Sequence, residues 1–145
     1  GPKQYNSKNK ITHAGIFGSH KHPAHRGWMS SNIQAYSDVS EAVTVSGSAY
    51  FIRRSVWDEL TACKTYQNAN PSNGAFLQTP HFYEETYCSY HAHKHGYKVI
   101  YNGEAHMVHE WNQSGKDNQV FVEQAMKDSQ VIFRNACDAH EMEHD

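Results

Sequence analysis

The chain is predicted to fold as a mixed α/β domain, on three observations. Short β-branched and aromatic runs, at residues 41–54 and 98–101, alternate with stretches of helical spacing at 83–94 and 119–135. The central helical stretch opens on two glutamates and closes on a glycine, which suits the two ends of a helix. No internal repeat or low-complexity tract competes with this order, and alternation of short strands and helices belongs to the α/β and α+β classes. A length of 145 residues suits one domain. A chain of that size buries roughly 68–70% of its unfolded surface, enough for one core.

The elements are read in chain order. Residues 1–10 are polar and unpatterned, and are expected as a disordered lead-in whose Gly1-Pro2 resembles a protease-cleavage scar. Ile11–Trp28, rich in Gly and His, reads as a short strand followed by a loop. Glu41–Arg54 reads as a buried strand in which Gly47 marks a close approach by a neighbour or a ligand. A helix is expected from Ser55, with the serine at the N-cap and Asp58 and Glu59 in the first turn. Residues 67–80 are a loop by composition. Tyr83, Tyr87, Tyr90 and Lys94 recur at helical spacing, and Gly96 stands where a C′ glycine would end that helix. Lys98–Tyr101 is expected as a strand, Asn102-Gly103 as a tight turn and Glu104–Glu110 as a second extended segment. A terminal helix is expected over about Gln119–Asn135, with a polar tail at 137–145.

Composition excludes several functions. No apolar run approaches the ~20 residues of a membrane-spanning helix. Thirteen Lys and Arg against fifteen Asp and Glu give a net charge of −2, which argues against a dedicated nucleic-acid binder. Cys63, Cys88 and Cys137 are odd in number and form no CxxC, so they read as reduced thiols of a cytoplasmic protein. Histidine is over-represented at 12 residues, and full protonation would carry the net charge to about +10.

The order of several short motifs points further. They are Thr12-His13-Ala14-Gly15-Ile16, Val45-Ser46-Gly47-Ser48-Ala49-Tyr50-Phe51-Ile52-Arg53-Arg54 and Phe82-Tyr83-Glu84-Glu85-Thr86. Then come Gly96-Tyr97-Lys98-Val99-Ile100-Tyr101 and Val108-His109-Glu110-Trp111-Asn112-Gln113-Ser114. This order resembles the C-terminal, acceptor-side half of family 2 nucleotide-sugar glycosyltransferases, which have the GT-A fold. The resemblance spans about residues 11–115 and implies a partial GT-A-like domain over 11–136, with a small mixed sheet flanked by helices.

It also implies a chemistry. An inverting transferase moves a sugar from a nucleoside-diphosphate sugar to an acceptor hydroxyl, and needs a base for that hydroxyl's proton. By position Glu85 is that base, with Glu84 beside it. His109 matches a histidine that helps hold a divalent cation, Mn2+ or Mg2+, against the leaving diphosphate. Gly47, Ser48, Trp111 and Ser114 fall where the sugar or diphosphate is bound. The chain departs from the family in having Tyr87 in place of a second aspartate, His91 in place of an arginine, and no Asp-x-Asp. The resemblance therefore implies an N-terminal nucleotide-binding half, in the same protein or in a partner subunit.

Two other readings stay open. One is a non-catalytic module of this fold that binds carbohydrate or a partner. The other is a zinc-dependent hydrolase using the HExxH of His140, Glu141 and His144. That motif stands in a segment with almost no apolar residue to bury a helix. His91 and His95, at i and i+4, offer a metal clamp whose plainer reading is a solvated helix end. His20, His22 and His25 cluster in a loop without a Cys or carboxylate neighbour.

Overall fold

The computed structural model describes residues 1–19, 22–63, 74–111, 113 and 116–139. Its main sheet is mixed and four-stranded, in the order β2-β1-β6-β5. The strands are β1 (Pro2–Tyr5), β2 (Ile11–His13), β5 (Val39–Ala42) and β6 (Val99–Val108). β1 runs parallel to β6 and antiparallel to β2, while β5 pairs antiparallel with β6. A second, two-stranded sheet joins β3 (Ile16–Gly18) to β4 (Pro23–His25). The helices are α1 (Arg54–Ala62), α2 (Glu84–Lys94) and α3 (Gln119–Ala139). The expected mixed α/β class is observed.

α2 is the central element. It is buried nearly all round, with Tyr87, Cys88, Ser89, Tyr90, His91 and Ala92 all inaccessible, as a helix enclosed on every side must be. Tyr87 and Tyr90 pack with Leu77, Phe133, Ala136 and Cys137, which fastens α2 to α3. Cys88 and Ala92 pack with Val56, Leu60 and Ala75, which fastens it to α1. Towards the sheet the contact is polar. Ser89 Oγ lies 2.8 Å from Thr44 Oγ1 and 3.1 Å from the Tyr50 hydroxyl, and His93 Nε2 lies 3.0 Å from the Val43 carbonyl oxygen. The sheet's own core is Ile11, Ala14, Ala42, Val45, Val99 and Tyr101.

Four expectations are corrected. Residues 1–10 are no frayed lead-in, because Pro2–Tyr5 is an inner strand with Lys3 and Gln4 almost wholly buried. Sequence patterning misses this strand because its buried residues are polar; the Lys3 ammonium is satisfied by the Ala35 carbonyl and the Ser37 hydroxyl. Glu41–Arg54 is not one strand, since β5 ends at Ala42 and Gly47–Ala49 forms a 3₁₀ turn. Asn102-Gly103 makes no hairpin turn; both residues lie within β6, whose pairing with β1 shifts register between Asn102 and His106. Gly103 is glycine for proximity, as an added Cβ would lie 2.1 Å from the Tyr36 carbonyl oxygen. The Gly103 N–H donates to the Asp38 carbonyl at 2.9 Å. Finally, the N-cap of α1 is Arg53, two residues before the expected Ser55, with no side-chain cap and no acidic residue in the first turn. No helix among the described residues is long and apolar enough to cross a membrane.

Candidate functional site

The loop into α2 carries concentrated backbone strain. Phe82 and Tyr83, two consecutive bulky residues, have φ of 68° and 70°, in the left-handed region that L-residues with large side chains avoid at a cost of order 1–3 kcal/mol each. The surroundings hold them there. Thr79 Oγ1 donates to the Phe82 carbonyl at 2.6 Å, the His81 N–H donates to Ser129 Oγ at 3.0 Å, and Tyr83 stacks on Phe133 at 5.0 Å. The strained step delivers Glu84 and Glu85 as the first turn of α2.

Glu85 is directed at the 3₁₀ turn. A Cβ on Gly47 would stand 3.2 Å from Glu85 Cδ and 3.3 Å from Oε2, so the glycine leaves room for this carboxyl. Burial pushes the Glu85 pKa up to about 7, and the neighbouring charge of Glu84 adds to the rise. The backbone N–H groups of Glu85, Gly47 and Thr86 oppose it by donating to the carboxylate. Dehydration therefore outweighs the favourable end of the helix. The product is a carboxyl that changes charge near neutrality.

Polar groups continue from Gly47 to the ends of β1 and β6. Ser46 Oγ and Ser48 Oγ are 2.7 Å apart, and Ser48 Oγ donates to Gln4 Oε1 at 2.7 Å. His13, paired opposite Gln4 in the sheet, accepts the Ser46 N–H on Nε2 at 3.3 Å. Burial, helped by the charges of His25 and Arg26, lowers the His13 pKa to about 3, so the ring stays neutral. Gln4 Nε2 and His13 Nδ1 are buried with no hydrogen-bond partner. Such groups are rare in folded proteins, and the oxygen of a ligand hydroxyl could accept from both.

The other expected residues fall into place in part. His109 follows β6, its N–H donates to the Tyr5 carbonyl at 2.8 Å, and its Nδ1 is buried without a partner. Trp111 packs edge-on against Trp28 at 5.3 Å, and Trp28 lies 5.5 Å from His25. Both tryptophans are nearly half exposed. Ser114, His20 and the His140, Glu141 and His144 motif lie outside the described residues. No protein-family model, curated protein or solved structure matches the chain.

A second place with metal-binding potential lies away from His109. Among the described residues, the one group of three Cys, His, Asp or Glu side chains with mutually close ligand atoms is Cys63, His91 and His95. Sequence reading paired the two histidines and missed the cysteine, which is 28 residues away and joins them only through the packing of α1 on α2. Gln4 was missed because its strand was missed. A cavity of about 650 Å³, lined by residues such as Val45, Tyr50, Phe51, Tyr97 and Val99, includes neither Glu85 nor His109. Its walls are chiefly apolar, with Gly1, Arg53 and Lys98 also among the lining residues.

Proposed function

We propose that this chain is the acceptor-side part of an inverting nucleotide-sugar glycosyltransferase, working in a cytoplasm that keeps its cysteines reduced. The observation that carries the reading is Glu85. It is a carboxyl at the mouth of a buried helix, facing a glycine, with its pKa raised into the range where a general base is most effective. In this reading the acceptor hydroxyl oxygen attacks the anomeric carbon as the bond to the diphosphate breaks, and the hydroxyl proton passes to Glu85. Glu84 keeps the Glu85 pKa high. Gly47 and Ser48 border the sugar, with Gln4 and His13 offering buried polar atoms to its hydroxyls, and the family resemblance implies a donor-side role for Trp111 and Ser114. A manganese or magnesium ion would offset charge on the diphosphate. His109 can give it one nitrogen, and its oxygen ligands would come from a nucleotide-binding half or partner subunit.

The test is a sugar-transfer assay of the full protein with a panel of nucleoside-diphosphate sugars, comparing wild type with Glu85→Gln. Turnover should fall by about 10²–10⁴-fold, the usual contribution of a positioned base, with donor binding retained. Unchanged turnover in the variant removes Glu85 from the role. One observation favours a second reading, a carbohydrate-binding module without turnover: the exposed Trp28–Trp111 pair offers apolar faces to a sugar ring. Glycan binding lost in Trp111→Ala, with no transfer under any donor, would establish that module instead.

A further inference from the structure

The C-terminal ends of α1 and α2 converge on a set of soft donors. Cys63 caps α1, His91 lies in the last turn of α2 and His95 caps it. One ligand atom from each lies within 4.8 Å of the other two. The two imidazoles meet through Nε2 at 3.2 Å. In tetrahedral zinc coordination, with Zn–N of 2.0–2.1 Å, two ligand nitrogens are separated by about 3.4 Å, and a nitrogen and a thiolate sulfur by about 3.6 Å. The histidine pair is thus already spaced as one edge of that tetrahedron.

A carboxylate stands behind one of the histidines as well. His95 Nδ1 lies 2.8 Å from Glu59 Oε1, and the other oxygen of Glu59 accepts from the Tyr97 hydroxyl. An imidazole that donates Nδ1–H to a carboxylate presents Nε2 as a lone pair, the arrangement that orients histidines bound to zinc. Both helices aim their carbonyl ends at the cluster, and helix C-termini favour a cation. One thiolate and two imidazoles prefer zinc over magnesium or manganese, which take oxygen ligands.

We propose that Cys63, His91 and His95 form a zinc site that staples the end of α1 to the end of α2, with Glu59 orienting His95 and water completing the tetrahedron. Binding replaces the His91–His95 hydrogen bond with two Zn–N bonds. His91 carries its proton on Nδ1, and the Cys63 thiol gives its proton to solvent. Affinity accordingly rises with pH.

The cysteines supply an internal test. Cys88 and Cys137 are fully buried while Cys63 is partly accessible, so a thiol reagent applied to the folded, metal-free protein should label Cys63 first. One equivalent of Zn2+ should slow that labelling at least tenfold, and Co2+ in its place should give a thiolate-to-cobalt charge-transfer band. Cys63→Ala and His95→Gln should each abolish the band, and replacing His140 and His144 together by Ala should leave it intact. Labelling unaffected by zinc, no cobalt–thiolate band in the wild type, or a band lost only in the His140/His144 variant would each overturn the proposal. The labelling and cobalt measurements use the wild-type chain, so the outcome stands even where a variant fails to fold.

Discussion

The two ends of α2 hold opposite chemistries about 10 Å apart, the separation set by the six residues from Glu85 to His91. At the N-terminal end are two carboxylates, a glycine and a strained backbone; at the C-terminal end are two imidazoles, a thiol and a supporting carboxylate. The macrodipole favours both arrangements in sign, an anion first and a cation last. At Glu85, however, burial and the charge of Glu84 outweigh the dipole, and the carboxyl holds a proton near neutrality. At the other end Glu59 is exposed and keeps its charge. At Glu85 the helix field is therefore the weaker influence, and desolvation sets where the carboxyl titrates.

The strongest way to break this contrast is to neutralise Glu85. A folded chain whose carboxyl titrates at about 7 retains a proton that the unfolded chain releases near 4.5. Stability from this group therefore falls as pH rises between those values, and above 7 the loss is roughly 3 kcal/mol. Glu85→Gln should melt higher than wild type at pH 8 and equally at pH 4, even as turnover collapses. His13 acts in the opposite sense: its lowered pKa costs stability as pH falls from 6.5 towards 3. That contribution is common to both proteins and cancels in the comparison. Equal melting of variant and wild type at pH 8 would show that Glu85 is not held out of water.

A smaller effect sharpens the contrast from the other end. Glu59→Gln should weaken zinc binding 10–100-fold, the usual result of losing a carboxylate behind a metal-bound histidine, as measured by competition with a chelator. It should leave sugar transfer unchanged, whereas an equal loss of both would mean that the two ends are coupled. Smallest is Gly47→Ala. Its Cβ would press on Glu85 at 3.2 Å, and relief of such mild crowding costs about 1 kcal/mol, the low end for overpacking. The expected sign is a loss of thermal stability with a displaced titration of Glu85, read by NMR.

Some of this was legible in the sequence. α2 was readable because its pattern is local: glutamates at the start, tyrosines at helical spacing, and Gly96 with φ of 81° beyond the end. Glu85, Gly47 and His109 are singled out by motif order, and the fold sets Gly47 against Glu85. What escaped was non-local. β1 buries a lysine and a glutamine, whose partners lie over thirty residues away. The glycine in Asn102-Gly103 answers to the backbone of residues 36–38 and to no local turn. Cys63 belongs with His91 and His95 only because Val56 and Leu60 pack on Cys88 and Ala92. Polar burial and close backbone approach leave no periodic trace along a chain.

The position of β1 sets the order in which the protein can assemble. Its inner edge is completed only by β6, and partners such as Lys3 and His106 are about a hundred residues apart. A ribosome adding 5–20 residues per second makes that separation in roughly 5–20 s. Through that interval the first strand has β2 on one side and an open hydrogen-bonding edge on the other. Parallel pairing at such long range is also slow to nucleate. The nascent chain thus passes through a stage in which β1 presents an adhesive open edge, a natural place for a chaperone to hold it until residue 108 has emerged.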